Sequence, residues 1–317
     1  MTVNLLSDNS IPVQIVAQPK YRVTVLTSED RMICDPDQMR STIESVFLYG
    51  LTQHCFVSMA VFGDVEVLRF CLSQVRDCDA VLIDAHGYAK SITCSEDERS
   101  CYKISDINPA DFAYLAQHHI PIYSLACNTG TDIFAQELAN RSGCTVFAPT
   151  DELSVLGTVV VPEEDGSFGM RSFQDRGIGK QVLHRFRPGD NPSPLSPENL
   201  FNANPYIQEL VACKLAAVRS MAGQGISGAQ RLMGALSLDG FGPLIPFSAE
   251  DAFIYYMMIE GPNAKNEAIA NIHMTGRIAQ QKGDSAKASQ CFHFVSQLGD
   301  WKPRSENLMD WDMQRME

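Results

Sequence analysis

From residue 20 to about 161, short apolar runs alternate with longer amphipathic stretches. The runs are YRVTVL (21–26), FVSMAVF (56–62), AVLIDA (80–85), IPIYSL (120–125) and CTVFAP (144–149). The third and fourth are apolar almost throughout, the mark of parallel strands covered on both faces. Between the runs, residues 35–51, 64–77, 108–118 and 129–143 read as helices. Asp64 is placed to cap the second, Asn108 followed by Pro109 opens the third, and Gly143 ends the fourth. Strand and helix in alternation predict an α/β layer fold with a mostly parallel sheet and right-handed crossovers.

The pattern then changes twice. LGTVVVPEEDGSFGMRSF (156–173) holds two β-rich runs around PEEDG and predicts a hairpin, either added at the sheet edge or folded over a site. RPGDNPSPLSPEN (187–199) has four prolines and no hydrophobic period, so it reads as a linker. After it the apolar spacing is helical, as in PYIQELVACKLAAVRSMA and SAEDAFIYYMMIEG, with Ser248 and Asp251 in capping-box positions. Residues 263–299 predict a helix hairpin turning at Gly283 and Asp284. Gly276, Gly283, Ala288 and Phe292 there resemble the small and aromatic positions of a tetratricopeptide unit. An ordinary antiparallel helix pair fits the same residues. The division expected is an N-terminal extension (1–19), an α/β domain (20–186), the linker (187–199) and an all-α domain (200–317).

A length of 317 residues suits about two domains. The formal charge of −13 and the lack of clustered Lys or Arg make nucleic acid and anionic membranes poor partners. The N-terminus has no basic start followed by an apolar region, and no stretch has the length of a membrane span, so a soluble, cytoplasmic chain is expected. Ten cysteines without a C-x-x-C pair suit a reducing compartment and give no zinc pattern. Cys94 and Cys101 fall in SITCSEDERSCYK, read as a polar loop carrying an unpaired surface pair. His118 and His119 read as loop residues, GQGISGAQ as a loop between helices, and His184 as a residue with no role from its neighbours.

Two positions stand out chemically. Cys127, in SLACNTG, follows a buried strand and is expected beside a helix N-terminus, where ligands collect in open α/β sheets and a thiolate is favoured. His86, in VLIDAHG, follows the most apolar strand in the same way. If those strands are neighbours, both side chains emerge at one edge. Cys127 is then a nucleophile and His86 a general base and acid. Gly87, lacking Cβ, offers a backbone N–H to an oxyanion, alongside the N–H of Cys127. Alone, a strand-end cysteine is more often packing and a loop histidine more often a plain loop residue, and the joint placement is what singles out the pair.

A hydrophobic strand then HG, followed by a hydrophobic strand then AC-x-TG, resembles the caspase-like clan of cysteine peptidases, most closely the CHAT branch. YKISDINPADFAYLAQHHI and IFAQELANRSGCTVFAPTDEL resemble the segments flanking that family's cysteine strand. The resemblance spans roughly residues 20–165, and the family is often joined to tetratricopeptide helices. It implies an endopeptidase with His86 and Cys127 as the dyad, no cofactor or metal, a protein substrate (the chain itself included), and a protein partner on the helical domain. Leu125 departs from the family, where relatives tend to have a polar pocket-lining residue. Acidic residues near strand ends, Asp30 and Asp151 together with Glu29, are candidates for a pocket favouring a basic P1 residue. The rival readings are an inactive caspase-like scaffold and a thiol acyltransferase using the same dyad.

Overall fold

The computed structural model describes residues 20–29, 47–48, 50–52, 54–95, 100–151, 153, 157–163, 167–173, 182–190 and 204–298. The N-terminal extension, Asp30, most of the first expected helix, the hairpin apex at 164–166 and most of the linker lie outside these residues.

Strand β1 (Tyr21–Ser28) pairs in parallel with β2 (Cys55–Phe62) over eight residues without a bulge. Helix α1 (Val65–Gln74) follows β2, its N-cap Asp64 accepting the Val67 N–H at 2.8 Å, and buries Leu68 and Leu72 against the sheet. Strand β3 (Ala80–Asp84), buried at every position, pairs in parallel with the other side of β1. A three-stranded antiparallel insert comes next, β4 (Gly87–Tyr88), β5 (Ser91–Thr93) and β6 (Cys101–Lys103). Two 3-10 turns and the short helix α2 (Ala113–Gln117) lead into β7 (Ile122–Ser124), which pairs in parallel with β3. Helix α3 (Phe134–Ser142) ends at Gly143 in the left-handed region, φ 73°, and leads to β8 (Val146–Pro149), parallel to β7. Strands β9 (Val159–Pro162) and β10 (Phe168–Arg171) form a separate antiparallel hairpin, and β11 (Leu183–Phe186) pairs antiparallel with β8. The sheet order is β11-β8-β7-β3-β1-β2. The chain is therefore α/β with a mostly parallel six-stranded sheet, as its strand pattern predicts.

Alternation along the strands gives the sheet two cores. On one face Leu26, Val81, Ile83 and Ile122 meet Leu68, Phe112 and Leu138 of the helices and turns. On the other, Val25, Leu82, Tyr123 and Leu125 meet Phe47, Leu51, Val160 and Met170. The β9–β10 hairpin is layered between this second face and the helical half. Val160 and Met170 pack on the sheet, while Val159 and Phe173 join Ile207, Val211 and Leu215 of helix α4 (Pro205–Gly223).

The helical region continues with α5 (Ser227–Asp239), α6 (Ala249–Met257), α7 (Ala264–Gln281) and α8 (Ser285–Gln297). Ser248 caps α6 by accepting the Asp251 N–H at 3.0 Å. Helices α7 and α8 approach closely: a β-carbon on Gly276 would stand 2.8 Å from the Phe292 ring and 2.9 Å from Cys291 Cβ. Among the described residues no helix is long and apolar enough to cross a membrane.

One lysine lies between the halves. Lys214 of α4 is buried and donates to the Thr158 carbonyl beside β9, and a β-carbon on Gly50 would collide with its Cε. Burial lowers its pKa from 10.5 to about 7. His54 is pushed down as well, first by burial and then by the Lys214 charge.

Four local expectations need correction. SITCSEDERSCYK is not a simple polar loop: its ends are β5 and β6, with Ile92, Cys94 and Tyr102 fully buried, so Cys94 is a core thiol. The segment 129–143 is helical only from Phe134, because the residues before it are held in turns by side-chain bonds. In GQGISGAQ the loop is short, and α5 begins at Ser227. His184 is buried in β11 with Nε2 3.4 Å from Thr150 Oγ1, since β11 closes the sheet over β8.

Candidate active site at the carboxyl edge of the sheet

Strands β3 and β7 run side by side with Ile83 opposite Ser124, and the Leu125 N–H continues the ladder to the Ile83 carbonyl at 2.8 Å. Counting on from that pair, His86 and Cys127 stand at equivalent positions just beyond two adjacent parallel strands. Both leave the sheet at its carboxyl edge, His86 exposed and Cys127 half-buried. The backbones behind them touch. A β-carbon on Gly87 would lie 2.6 Å from Ala126 Cβ and 2.8 Å from the Cys127 carbonyl oxygen, so any side chain there would force the two segments apart.

The ladder also orients Gly87. The Thr93 N–H donates to the His86 carbonyl at 2.9 Å, and Gly87 sits opposite Ile92. That makes Gly87 a non-hydrogen-bonded position of the β4–β5 pair, so its own N–H and carbonyl point away from β5. Glycine is needed here for space, not for a left-handed φ.

Beyond Cys127 the chain is fixed by backbone and hydroxyl groups. Asn128 takes φ 61°, a conformation that asparagine tolerates better than most residues, and its N–H meets the Asp151 carbonyl at 3.3 Å. Thr129 is fully buried; its hydroxyl donates to the Ala126 carbonyl at 2.8 Å and lies 2.9 Å from Ser124 Oγ. The Gly130 N–H reaches the Pro149 carbonyl at 2.7 Å, and a β-carbon there would stand 2.9 Å from the Ala148 and Pro149 oxygens. The Thr131 hydroxyl closes the turn on the Asn128 carbonyl at 2.6 Å. The cysteine loop is thus clamped between β7 and the end of β8. Lys90, at the tip of the β4–β5 hairpin, stands 3.7 Å from Asp132 and ties that hairpin to the same loop.

This loop replaces the expected helix start: α3 begins only at Phe134, so Cys127 is followed by a turn and not by a helix N-terminus. Thr129 is the residue that sequence reasoning missed. Its spacing after the cysteine was visible, but its buried bridge to Ser124 depends on how the loop closes.

The other candidates are distributed as follows. Asp151 follows β8 with an exposed side chain, and its backbone is joined to the residue after Cys127. Asp30 lies outside the described residues. Glu29 is exposed at the end of β1, and Asp84 is buried at the end of β3. Leu125 is a core residue beside Leu82 and Tyr123. Burial raises the thiols of Cys55 and Cys94 to about 12 and that of Cys144 to about 11, which leaves them as unreactive thiols near neutral pH. Among the described residues no three His, Cys, Asp or Glu side chains are grouped as metal ligands.

A cleft of about 480 Å³ lies at the opposite, amino edge, lined by Lys20, Arg22, Cys78, Asp79, Tyr114 and His118 among others. Asp79 accepts the Arg22 N–H at 2.7 Å, and the Tyr114 and His118 rings stand 4.2 Å apart.

Residues 64–169 match the family described as "Domain of unknown function (DUF8616)". The match covers about a third of the chain and includes His86, Gly87, Cys127 and Asp151. No curated protein gives a match to the chain.

Proposed function

We propose that the chain is a cysteine endopeptidase with His86 and Cys127 as its dyad. The observation that carries this is the β3–β7 register, which delivers the histidine and the cysteine to equivalent positions at one sheet edge, with the Gly87 backbone against the Ala126–Cys127 peptide. Catalysis begins when His86 takes the Cys127 thiol proton and the thiolate adds to a substrate carbonyl carbon. The oxyanion that forms is met by the outward-pointing Gly87 N–H. His86 then passes the proton to the leaving amine as the C–N bond breaks, leaving a thioester on Cys127. Water, deprotonated by His86, hydrolyses the thioester and restores the thiol. The clamp made by Thr129, Gly130 and Asp151 fixes the loop in advance, so the reacting groups need little reorganisation. Asp151, exposed beside that loop, supports a preference for Arg or Lys at P1.

The test is labelling with acyloxymethyl ketone probes carrying Arg, Lys or Asp at P1, scored by intact mass and by hydrolysis of the matching fluorogenic peptides. Labelling of wild type by the basic probes, absent in Cys127→Ala, is the expected result. A folded wild type that neither reacts with any of the probes nor cleaves any of the peptides would overturn the reading and leave the scaffold alternative.

A further inference from the structure

Among the described residues, strand β2 closes one side of the six-stranded sheet, and its own sequence lacks the usual protections of an edge. Natural edge strands are guarded by Lys, Pro, a bulge or a short length, because their outward N–H and carbonyl groups are a template for another strand. β2 runs eight residues in unbroken register with β1, and residues 55–63 contain neither Pro nor a charged side chain. Exposed apolar side chains stand on both of its faces, with Ser58 the one exposed polar residue: Phe56 is 56% exposed, Met59 43% and Val61 42%. Helix α1 extends the patch with Val67 at 39% and Phe70 at 65%.

We infer that β2 is a self-association edge, at which two copies of the chain pair their β2 strands antiparallel about a two-fold axis at Met59 and continue the sheet from one copy into the other. Parity admits only axes centred on a residue, and among these Met59 brings the exposed apolar side chains together. When a dyad stands perpendicular to a continuous sheet, residues opposite each other must point to the same face, so the sum of their numbers is even. Centring on Met59 sets Met59 against its own copy, Val57 against Val61 and Phe56 against Phe62. A centre at Ser58 instead leaves the exposed Val61 opposite Cys55.

A second copy suits this edge for two reasons. Each chain carries a net charge of −13, and the uncharged segment 55–63 lets two such chains meet without setting like charges against each other. The surface is also of adequate size. A buried aromatic side chain covers about 150–250 Å², so Phe56 and Phe70 each have roughly 100 Å² to bury; with Met59, Val61 and Val67 the side chains offer roughly 400 Å² per copy, and with the strand backbone the two copies together reach the ~1,000 Å² at which a weak specific interface begins. A second apolar group, Ile254, Met257 and Met258 around the end of α6, serves as a control surface.

Light scattering coupled to gel filtration, on the full chain at about 100 μM where any Kd tighter than that gives mostly dimer, reads the outcome. Wild type should run at about twice its 35.0 kDa. Met59→Lys should run as a monomer with an unchanged far-UV spectrum, and Ile254→Lys should stay dimeric. Because the axis sets residue 59 against itself, Met59→Cys should form a symmetric intermolecular disulfide under mild oxidation, while Phe70→Cys should not. A monomeric wild type would overturn the inference. So would a dimer that Met59→Lys does not dissociate, or a dimeric Met59→Cys that does not cross-link.

Discussion

At the amino edge of the sheet, Asp79 accepts the Arg22 N–H while the Arg22 carbonyl accepts the Asp79 N–H, and Asp77 meets Tyr114. These charged side chains are occupied in joining β1 to the start of β3 and to α2. The carboxyl edge is arranged in the opposite way. There the bonds that close the loop at 126–131 come from backbone amides and from threonine and serine hydroxyls, with glycines where the chain passes closest to its neighbours. The 480 Å³ cleft is at the first edge, and the proposed nucleophile and base, Cys127 and His86, are at the second. Under the proposed assignment the amino-edge cleft is not the site of chemistry, and Asp77 and Asp79 there are already committed to structure. Where the chain is held by its backbone, its side chains can be given to chemistry.

The sharpest way to break this comparison is to remove one cysteine from each edge. Cys127→Ala should lower kcat/KM by at least about a thousand-fold, the scale on which loss of a nucleophile acts. Cys78→Ala, in the amino-edge cleft, should leave it unchanged. If the two variants behave alike, the assignment of chemistry to the carboxyl edge fails.

A pH study of either edge must first deal with Lys214, which belongs to neither. In the unfolded chain its ammonium holds a proton up to about 10.5, whereas burial lets the folded form release it at about 7. Between those values the unfolded state binds more protons, so stability rises with pH across the window; below about 7 the penalty is constant. At about 1.4 kcal/mol per pH unit, the full effect approaches 5 kcal/mol. Urea unfolding at pH 7, 8 and 9 should show that rise for wild type, and Lys214→Met should flatten it. A wild-type profile that is already flat would show that the lysine keeps its proton in the fold.

Gly87→Ala tests the contact between the two motifs. The new methyl would stand 2.6 Å from Ala126 Cβ, so the histidine and cysteine segments must separate. A displacement of about 1 Å at reacting groups costs about a hundred-fold, and the loss should fall on kcat with the fold retained. Full activity in the Gly87→Ala variant would mean that the backbone contact plays no part.

How far these features could be read beforehand depends on the range of the interactions that make them. β3 and β7 are legible because AVLIDA and IPIYSL are apolar enough to announce buried parallel strands, and the end of a strand is a local property. From there the placement of His86 and Cys127 just beyond two adjacent strands follows directly. β5, β6 and β11 were not legible: three or four residues such as SIT, CYK and LHRF are too short for a period of two to show, and partners far along the chain decide their burial. The same holds for Leu125. Its sequence position suggests a pocket wall, but strand parity places it with Leu82 in the core. The helix expected at 129 gave way because Thr129 and Thr131 offer their hydroxyls to nearby carbonyls and Asn128 adopts a positive φ, which together favour a turn.

Thr129→Val removes that clamp while keeping its shape. The buried hydroxyl makes two close contacts, and losing them should destabilise the fold by about 1–3 kcal/mol, since the Ala126 carbonyl and Ser124 hydroxyl lose a partner. If the clamp preorganises Cys127, activity should fall further than the unfolded fraction explains, at a temperature well below the melting point. Equal losses of activity and folded fraction would reduce Thr129 to a packing residue.

The smallest effect expected is at the other edge. Asp79→Ala frees the Arg22 N–H of its 2.7 Å partner but leaves the reciprocal backbone bond from the Asp79 position intact. Because the group is exposed, water can take over the lost bond, and the cost should stay below about 1 kcal/mol. Thermal melts should show a shift of a few degrees at most, and peptide hydrolysis should be unchanged. Asp79 lies across the sheet from Cys127, so a fall in activity without a fall in stability would mean that the amino-edge cleft takes part in catalysis, and the division of labour between the two edges would have to be abandoned.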